Sequence, residues 1–352
     1  MNTELIQINE NNIDTAALAA LQRAGTILKN GGLVAFPTET VYGLGGDALN
    51  PKSSMKIYSA KGRPSDNPLI VHVADMESIE KIVKKLPEAA YKLAEVLWPG
   101  PLTMIMEKSQ VVPYETTGGL ETVAIRMPSN KIAAELIRQS GGYIAAPSAN
   151  LSGRPSPTEA KYCIEDLDGR VDMIIDGGQV GIGLESTIID LTSDTPMILR
   201  PGYVTQKMLS DILGDVSIDK TILSADSGVK PKAPGMKYRH YAPKGDLTIV
   251  EGEPDKVTAY INEKILEHSK NGERTGVIAT DETRDKYRAD VVKCAGSRED
   301  EEEIARNLFS ILRQFDDEDV KCMYSEAFDD TGLGQAIMNR LLKAAGHKVV
   351  RV

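Results

Sequence analysis

The chain has 352 residues, enough for about two domains at roughly 150 residues each. Apolar side chains make up 41% and charged ones 26%, a globular composition that excludes a largely disordered chain. No apolar run approaches the ~18 residues of a membrane span, and the acidic, polar start MNTELIQINENN lacks the basic-then-apolar plan of a secretory leader. A soluble, cytoplasmic protein is expected. The net charge of −10 divides into −5 for residues 1–210, +1 for 211–240 and −6 for 241–352. That balance disfavours a general polyanion binder, although Lys230, Lys232, Lys237 and Arg239 form a local basic strip able to hold one small anion. Cys163, Cys294 and Cys322 are scattered, and His72, His240, His268 and His347 form neither H-x-H nor H-E-x-x-H. Neither a disulfide framework nor a metal site built by the protein is expected.

In chain order, Asp14 is placed to cap a helix reaching about Asn30, with Leu18, Leu21 and Leu28 on its apolar side and Gly31 as the stop. The strand Leu33–Phe36 is halted by Pro37. Asn50-Pro51 opens a helix to about Ala60, Leu69–Val73 is a strand, and Pro87–Trp98 is a helix broken by Trp98-Pro99-Gly100-Pro101. Leu102–Met106, Val123–Met127 and Tyr143–Ala146 are strands, with a helix at 130–139 between the last two; shorter strands follow at 173–175, 187–191 and 197–199. The stretch 227–245 holds three prolines and three glycines, punctuation that helices and central strands avoid. Its length, with Tyr238, His240 and Tyr241 inside it, points to a functional connection rather than a passive one. Beyond it, strands at 247–250, 275–279, 291–293, 320–324 and 348–352 alternate with helices at 254–270, 299–314 and 333–345. That is the pattern of a small open parallel sheet. Three parts are therefore expected: residues 1–213, a connection at 214–245, and residues 246–352.

No P-loop is present, and Gly332-Leu-Gly334 lacks the third glycine of a dinucleotide loop because Ile337 stands there, so it reads as a helix-start turn. Gly181-Ile-Gly183 reads equally well as loop geometry. The chemistry lies at strand ends instead. Pro37-Thr38-Glu39-Thr40 brings hydroxyls, a carboxylate and flexible backbone to the end of a buried strand, where open α/β sheets bind ligands; a plain capping turn is the alternative. In Lys61-Gly-Arg63-Pro-Ser-Asp-Asn67-Pro68, a bidentate arginine and a lysine acting as a mobile point charge suit a polyphosphate. Arg126 closes an apolar strand, where an unpaired guanidinium is very costly, so it forms an ion pair or holds a carboxylate. Ala145-Ala146-Pro147-Ser148-Ala149-Asn150-Leu151-Ser152-Gly153, then Ser156, Glu185-Ser186-Thr187 and Leu199-Arg200-Pro201-Gly202 repeat the device. Together these loops point to one shared cleft for an anionic ligand. No Ser-His-Asp grouping is indicated and no cysteine sits in a basic loop, so positioning and charge neutralisation suit the chain better than covalent catalysis, as at a phosphoryl group.

Pro37-Thr-Glu-Thr-Val-Tyr-Gly-Leu44, Lys61-x-Arg63-x-x-x-Asn67-Pro-Leu69, Ala146-Pro-Ser-Ala-Asn150 with Ser152-Gly153, and Leu199-Arg-Pro-Gly202 closely resemble the YrdC-like domain. With Ala233-Pro-Gly-Met-Lys-Tyr-Arg-His-Tyr-Ala-Pro243 and the tail, nearly the whole chain is similar to the long, two-domain form of the threonylcarbamoyl-AMP synthase family. The resemblance implies an α/β fold: a twisted open sheet with a concave basic cleft, plus a small Rossmann-like domain, with the linker over the cleft. It implies a nucleotidyltransferase joining L-threonine, bicarbonate or CO2, and ATP with Mg2+ into threonylcarbamoyl-AMP and pyrophosphate. A separate transferase then modifies adenosine 37 of tRNAs reading codons that begin with A, so direct tRNA binding is expected to be weak or absent.

Carried over by the resemblance, Thr40, His72, Arg126, Ala146 and Ser186 hold threonine, with Arg126 on its carboxylate. Lys61, Arg63, Asn67, Thr122, Ser148, Asn150, Ser156 and Arg200 line the ATP side, Lys61 and Arg63 being catalytic, and Tyr238 and His240 close over the phosphates. Without the family, His72 reads equally as a satisfied strand histidine, and Thr122 and Ala146 draw no attention. An RNA-binding module and an ATP or threonine sensor without turnover are the alternatives.

Overall fold

The first helix follows the local rules closely. In a computed structural model, which describes residues 2–219 and 240–352, the Asp14 carboxylate accepts the Ala17 N–H at 2.9 Å, and Gly31 follows the helix with φ 79°. Leu21 and Leu28 are buried, but Leu18 lies on the flank of the apolar stripe and is 38% exposed, so the apolar side is narrower than expected.

The elements run β1 (Glu4–Gln7), α1 (Thr15–Lys29), β2 (Val34–Phe36), β3 (Gly43–Asp47), α2 (Pro51–Lys61), β4 (Ile70–His72), α3 (Glu77–Ile82), α4 (Glu88–Leu97), β5 (Leu102–Glu107), α5 (Tyr114–Thr117) and β6 (Thr122–Arg126). Next come α6 (Lys131–Gln139), β7 (Ile144–Ala145), α7 (Ala160–Leu167), β8 (Met173–Asp176), β9 (Thr187–Asp190), β10 (Met197–Arg200), α8 (Gln206–Leu213) and β11 (Ser217–Ile218). After the undescribed stretch follow β12 (Asp246–Glu251), α9 (Pro254–Lys270), β13 (Thr275–Ala279), β14 (Val291–Cys294), α10 (Glu301–Asp317), β15 (Cys322–Glu326), α11 (Gly334–Ala344) and β16 (Val349–Arg351).

The described residues divide into two units, residues 2–152 with 156–219 and residues 153–155 with 240–352. The first unit carries a mixed sheet in the order β1-β8-β2-β3-β7-β4-β6-β5-β9-β10-β11. One face of its central strands packs on Leu44, Val71, Met104, Ile125 and Ile189. The other carries a smaller apolar patch of Ile70, Ile105, Ala124, Ile188 and Leu199. Strand β3 escapes a sequence reading because it is mostly glycine, and packing explains the glycines: a Cβ on Gly45 would lie 2.8 Å from Ile144 and 2.9 Å from Phe36. β11, inside the expected connection, pairs in parallel with β10.

The second unit is parallel throughout, in the order β14-β13-β15-β12-β16, the architecture its alternating pattern predicts. The loop 153–155, expected within the first domain, groups with this unit, where buried Arg313 donates two hydrogen bonds to the Pro155 carbonyl at 2.6 and 3.1 Å. Among the described residues no helix is long and apolar enough to cross a membrane.

Candidate active site

Strand alternation and register assemble the site. Side chains two apart along a strand share a face, so Ile70 and His72 on β4, and Thr122, Ala124 and Arg126 on β6, project with the smaller apolar patch. β4 and β6 are parallel with His72 opposite Arg126. β5 runs antiparallel to β6 with Thr103 opposite Arg126, and β9 starts beside the start of β5, with Leu102 opposite Thr187. The ends of β4 and β6 and the starts of β5 and β9 therefore lie at one end of the sheet. β10 returns antiparallel to β9, bringing Arg200 to that end.

The polar groups there are buried and wired together. Arg126 is 4% exposed; its Nη1 donates to Thr40 Oγ1 at 2.8 Å and its Nε to the Gly100 carbonyl at 3.4 Å. Nη2 lies 2.8 Å from Glu39 Oε1. This contact is an ion pair without hydrogen-bond geometry, for neither atom finds a hydrogen-bond partner, and Glu39 Oε2 finds none either. Thr40 and Thr38 hydroxyls meet at 2.8 Å. Further along, Ser186 Oγ lies 2.7 Å from Thr103 Oγ1 and accepts from Arg200 Nη2 at 3.1 Å, while Arg200 Nε donates to the Ser186 carbonyl at 3.0 Å. His72 sits beside this row with Nδ1 3.1 Å from the Ile70 carbonyl. Burial, and then the charge of Arg126, push its pKa down to about 3, so the ring is neutral and Nδ1 donates that hydrogen bond. Ala146 follows β7 and donates its N–H to the Ile70 carbonyl at 2.8 Å. Thr40, His72, Arg126 and Ser186 thus belong to this sheet end, and Ala146 stands beside the start of β4.

The residues carried over for ATP are more spread. Thr122 shares the face of Arg126 but starts the strand that Arg126 ends, about 13 Å away at ~3.3 Å per residue. Arg63 donates to the Asn67 carbonyl at 3.3 Å and the Pro68 carbonyl at 3.1 Å, and the buried Asn67 Oδ1 has no hydrogen-bond partner. Lys61 departs from the mobile point charge its motif suggests. It is 2% exposed, in the last turn of α2 before the left-handed cap Gly62, and its Nζ donates to the Ser148 and Asn150 carbonyls. Burial among carbonyls makes it a fixed tie to the 148–150 loop. In that loop Ser148 Oγ donates to Asn150 Oδ1 at 2.5 Å, and Ser156 Oγ donates to Glu185 Oε1 at 2.5 Å. His240 belongs to the second unit, its ring 5.6 Å from that of Tyr241, whose φ is 63°. Tyr238 lies outside the described residues.

Two features escaped the sequence reading. Gly181-Ile-Gly183 clasps the Glu39–Thr40 turn, Ile182 N–H donating to the Glu39 carbonyl at 2.9 Å and Gly183 N–H to the Thr40 carbonyl at 3.1 Å. In the second unit His268, Glu273 and Cys322 bring ligand-type atoms within 4.8 Å of one another, a trio that no short spacing announces.

Two buried arginines, a neutral histidine and a row of hydroxyls thus gather at one end of a mixed sheet on an α/β scaffold. A family model described as "Telomere recombination" matches residues 26–202, and one described as "Threonylcarbamoyl-AMP synthase, C-terminal domain" matches residues 204–346. The chain is 49% identical to the threonylcarbamoyl-AMP synthase of Bacillus subtilis, covering 94% of both chains. It is 48% identical to that of Pyrococcus abyssi, covering 94% of this chain and 95% of that one. It also superposes on P. abyssi Sua5 complexed with L-threonine with a TM-score of 0.93 at 46% identity, over 99% of this chain and 100% of that one. The chain belongs to the threonylcarbamoyl-AMP synthase family, in its two-domain form.

Proposed function

We propose that this protein is an L-threonylcarbamoyladenylate synthase, a nucleotidyltransferase that condenses L-threonine, bicarbonate or CO2, and ATP into threonylcarbamoyl-AMP with release of pyrophosphate. The observation that carries this reading is the likeness along the whole chain to a structure bearing L-threonine, joined to a sheet end where buried Arg126 has one nitrogen, Nη2, that donates no hydrogen bond. Arg126 binds the threonine carboxylate, while His72, Ser186 and the Ala146 backbone shape the rest of its pocket. Threonine's amine takes up the one-carbon unit as a carbamate, which is unstable in water and best kept from it; the burial of Thr40, His72, Arg126 and Ser186 supports that. A carbamate oxygen then attacks the α-phosphorus in line, and pyrophosphate leaves.

Arg63, Asn67 and Arg200 orient the phosphates and neutralise charge developing on them, while Lys61 holds the 148–150 loop in place beside them. Family likeness carries a phosphate role to Tyr238 and His240 as well. The donors here are cations, amides and hydroxyls, a set that fits a magnesium ion carried by phosphates and water rather than by a protein cage. When bound with ATP it supplies further charge neutralisation. The product serves a separate transferase acting on adenosine 37 of tRNA in the cytoplasm. The acidic balance of both halves supports a protein that leaves tRNA to that partner.

The test is pyrophosphate release from ATP with threonine and bicarbonate omitted in turn. Release that needs both, with a threonine-bearing adenylate in the mass spectrum, is expected; ATP binding without release under any combination favours a sensor. Arg63→Ala should lower kcat/KM for ATP by about 30-fold, the equivalent of ~2 kcal/mol for a hydrogen bond to a charged group. An unchanged kcat/KM removes Arg63 from the mechanism.

A further inference from the structure

Glu39 is a charged member of the sheet-end cluster to which the proposed reaction has assigned no task. Its carboxylate is largely buried, with 14% side-chain exposure, and faces Arg126 Nη2 at 2.8 Å. Both of its oxygens are out of solvent and accept no hydrogen bond. A buried carboxylate is tolerated when its charge is balanced and its lone pairs are filled. Here the charge is balanced and the lone pairs are not, so the site wants N–H or O–H donors. The turn around it is tied down: the Glu39 carbonyl accepts from Ile182 and the Thr40 carbonyl from Gly183, and the Thr38 hydroxyl accepts from the Thr40 and Val41 N–H groups at 3.2 and 3.3 Å. These bonds pin the turn on both sides, so the carboxylate cannot easily swing away.

We infer that Glu39 is the receptor for the α-ammonium group of the amino-acid substrate, forming with Arg126 a clamp for the zwitterion. This rests on the proposed function, in which Arg126 takes the α-carboxylate. The match is chemical and geometric. An α-amino acid carries its two charges about 2.5 Å apart, from amine nitrogen to carboxyl carbon, and adjacent side chains of opposite sign offer the complementary pair. Three N–H donors of an ammonium fill the acceptor sites that Arg126 leaves open. The same contact gives the ammonium a place to leave one proton: an N–H bond breaks, an O–H bond forms at a Glu39 oxygen, and the lone pair stays on nitrogen, as carbamate formation requires. The clamp selects for α-amino acids over hydroxy acids of the same shape.

The experiment measures binding of L-threonine and of (2S,3R)-2,3-dihydroxybutanoate, which carries a hydroxyl in place of the ammonium, to the full chain and to its Glu39→Gln and Glu39→Asp variants. The wild type should prefer threonine by at least ~10-fold, the low end for a hydrogen bond between charged groups. Glu39→Gln should lose ~10-fold or more for threonine while holding the hydroxy acid within about twofold, erasing the preference. Glu39→Asp, which keeps the charge, should recover part of it and covers the case in which the glutamine variant does not fold. Equal loss of both ligands in the variants would reduce Glu39 to a structural prop of Arg126, and an undiminished preference in Glu39→Gln would place the ammonium elsewhere; either result overturns the inference. Wild-type protein that binds no threonine and releases no pyrophosphate overturns the proposed function instead, so the two failures are distinct.

Discussion

Each unit buries a glutamate at a sheet end beside an arginine, and the two are treated differently. Glu326, at the end of β15, is 2% exposed. One oxygen accepts from Thr283 and, at 2.7 Å, from Tyr287, and the other pairs with Arg298, which also donates to the Ala327 carbonyl at 3.1 Å. Burial and that same carboxylate push the Tyr287 hydroxyl's pKa up, keeping it a donor. Glu39 has its arginine and nothing else. A satisfied buried charge explains itself as structure, whereas one with open lone pairs has room for a further donor. On that distinction the Glu39 carboxylate keeps acceptor capacity for a donor from outside the chain, and the Glu326 carboxylate does not.

The sharpest way to break the comparison is to remove each network's cation or anion. Arg126→Ala leaves Glu39 buried without a counter-ion, which should cost about 3–5 kcal/mol of stability, read from the urea midpoint, and abolish threonine-dependent pyrophosphate release. A midpoint that does not move would mean that Glu39 is already relieved by something other than Arg126. Glu326→Gln turns an acceptor toward Arg298 into an amide that cannot balance it, and should cost about 2 kcal/mol. Its effect should be confined to stability. Loss of threonine dependence in this variant would collapse the contrast between the units.

How much of this was legible depended on whether local chemistry or tertiary packing decided the matter. α1 and α2 begin where Asp14 and Asn50-Pro51 say they should, because caps and proline act within one turn. The strand ends carrying Arg126 and Arg200 were legible because a lone cation closing an apolar run has few peaceful explanations. β3 was not, since its glycines reflect contacts with Phe36 and Ile144 from elsewhere in the chain. Lys61 showed its residue type but not its surroundings: nothing at position 61 announces the carbonyls of residues 148 and 150. Glu39 stood in plain view in its motif, and its special feature, unfilled lone pairs, is a property of three-dimensional neighbours alone. Thr122 and Ala146 entered only through family likeness.

His72 offers a smaller, pH-dependent test of the first unit. Its folded pKa is depressed to about 3 from an ordinary value near 6.5. Between these values the unfolded chain binds a proton that the native ring refuses, so stability contributed by neutral His72 is intact above about pH 6.5 and declines as the pH falls toward about 3. One such proton gives a slope of up to about 1.4 kcal/mol per pH unit. His72→Asn should flatten the stability curve by that amount over this window, measured as the difference between variant and wild type so that carboxylate titrations cancel. Identical slopes would mean that the ring is protonated beside Arg126, contrary to its burial.

The smallest effect belongs to a hydrogen bond with neither deep burial nor a ligand role, and it calibrates the rest. Asp14 accepts the Ala17 N–H at 2.9 Å at an exposed helix start, so Asp14→Ala should cost about 1 kcal/mol. The group stays in water when its partner is gone, and only the cap is lost. Arg126→Ala should exceed it severalfold because water cannot reach the carboxylate left behind. If thermal or urea unfolding instead shows the two substitutions to be equal, the Glu39 carboxylate is solvated in solution, and the distinction between a satisfied buried carboxylate and one with open lone pairs loses its energetic basis.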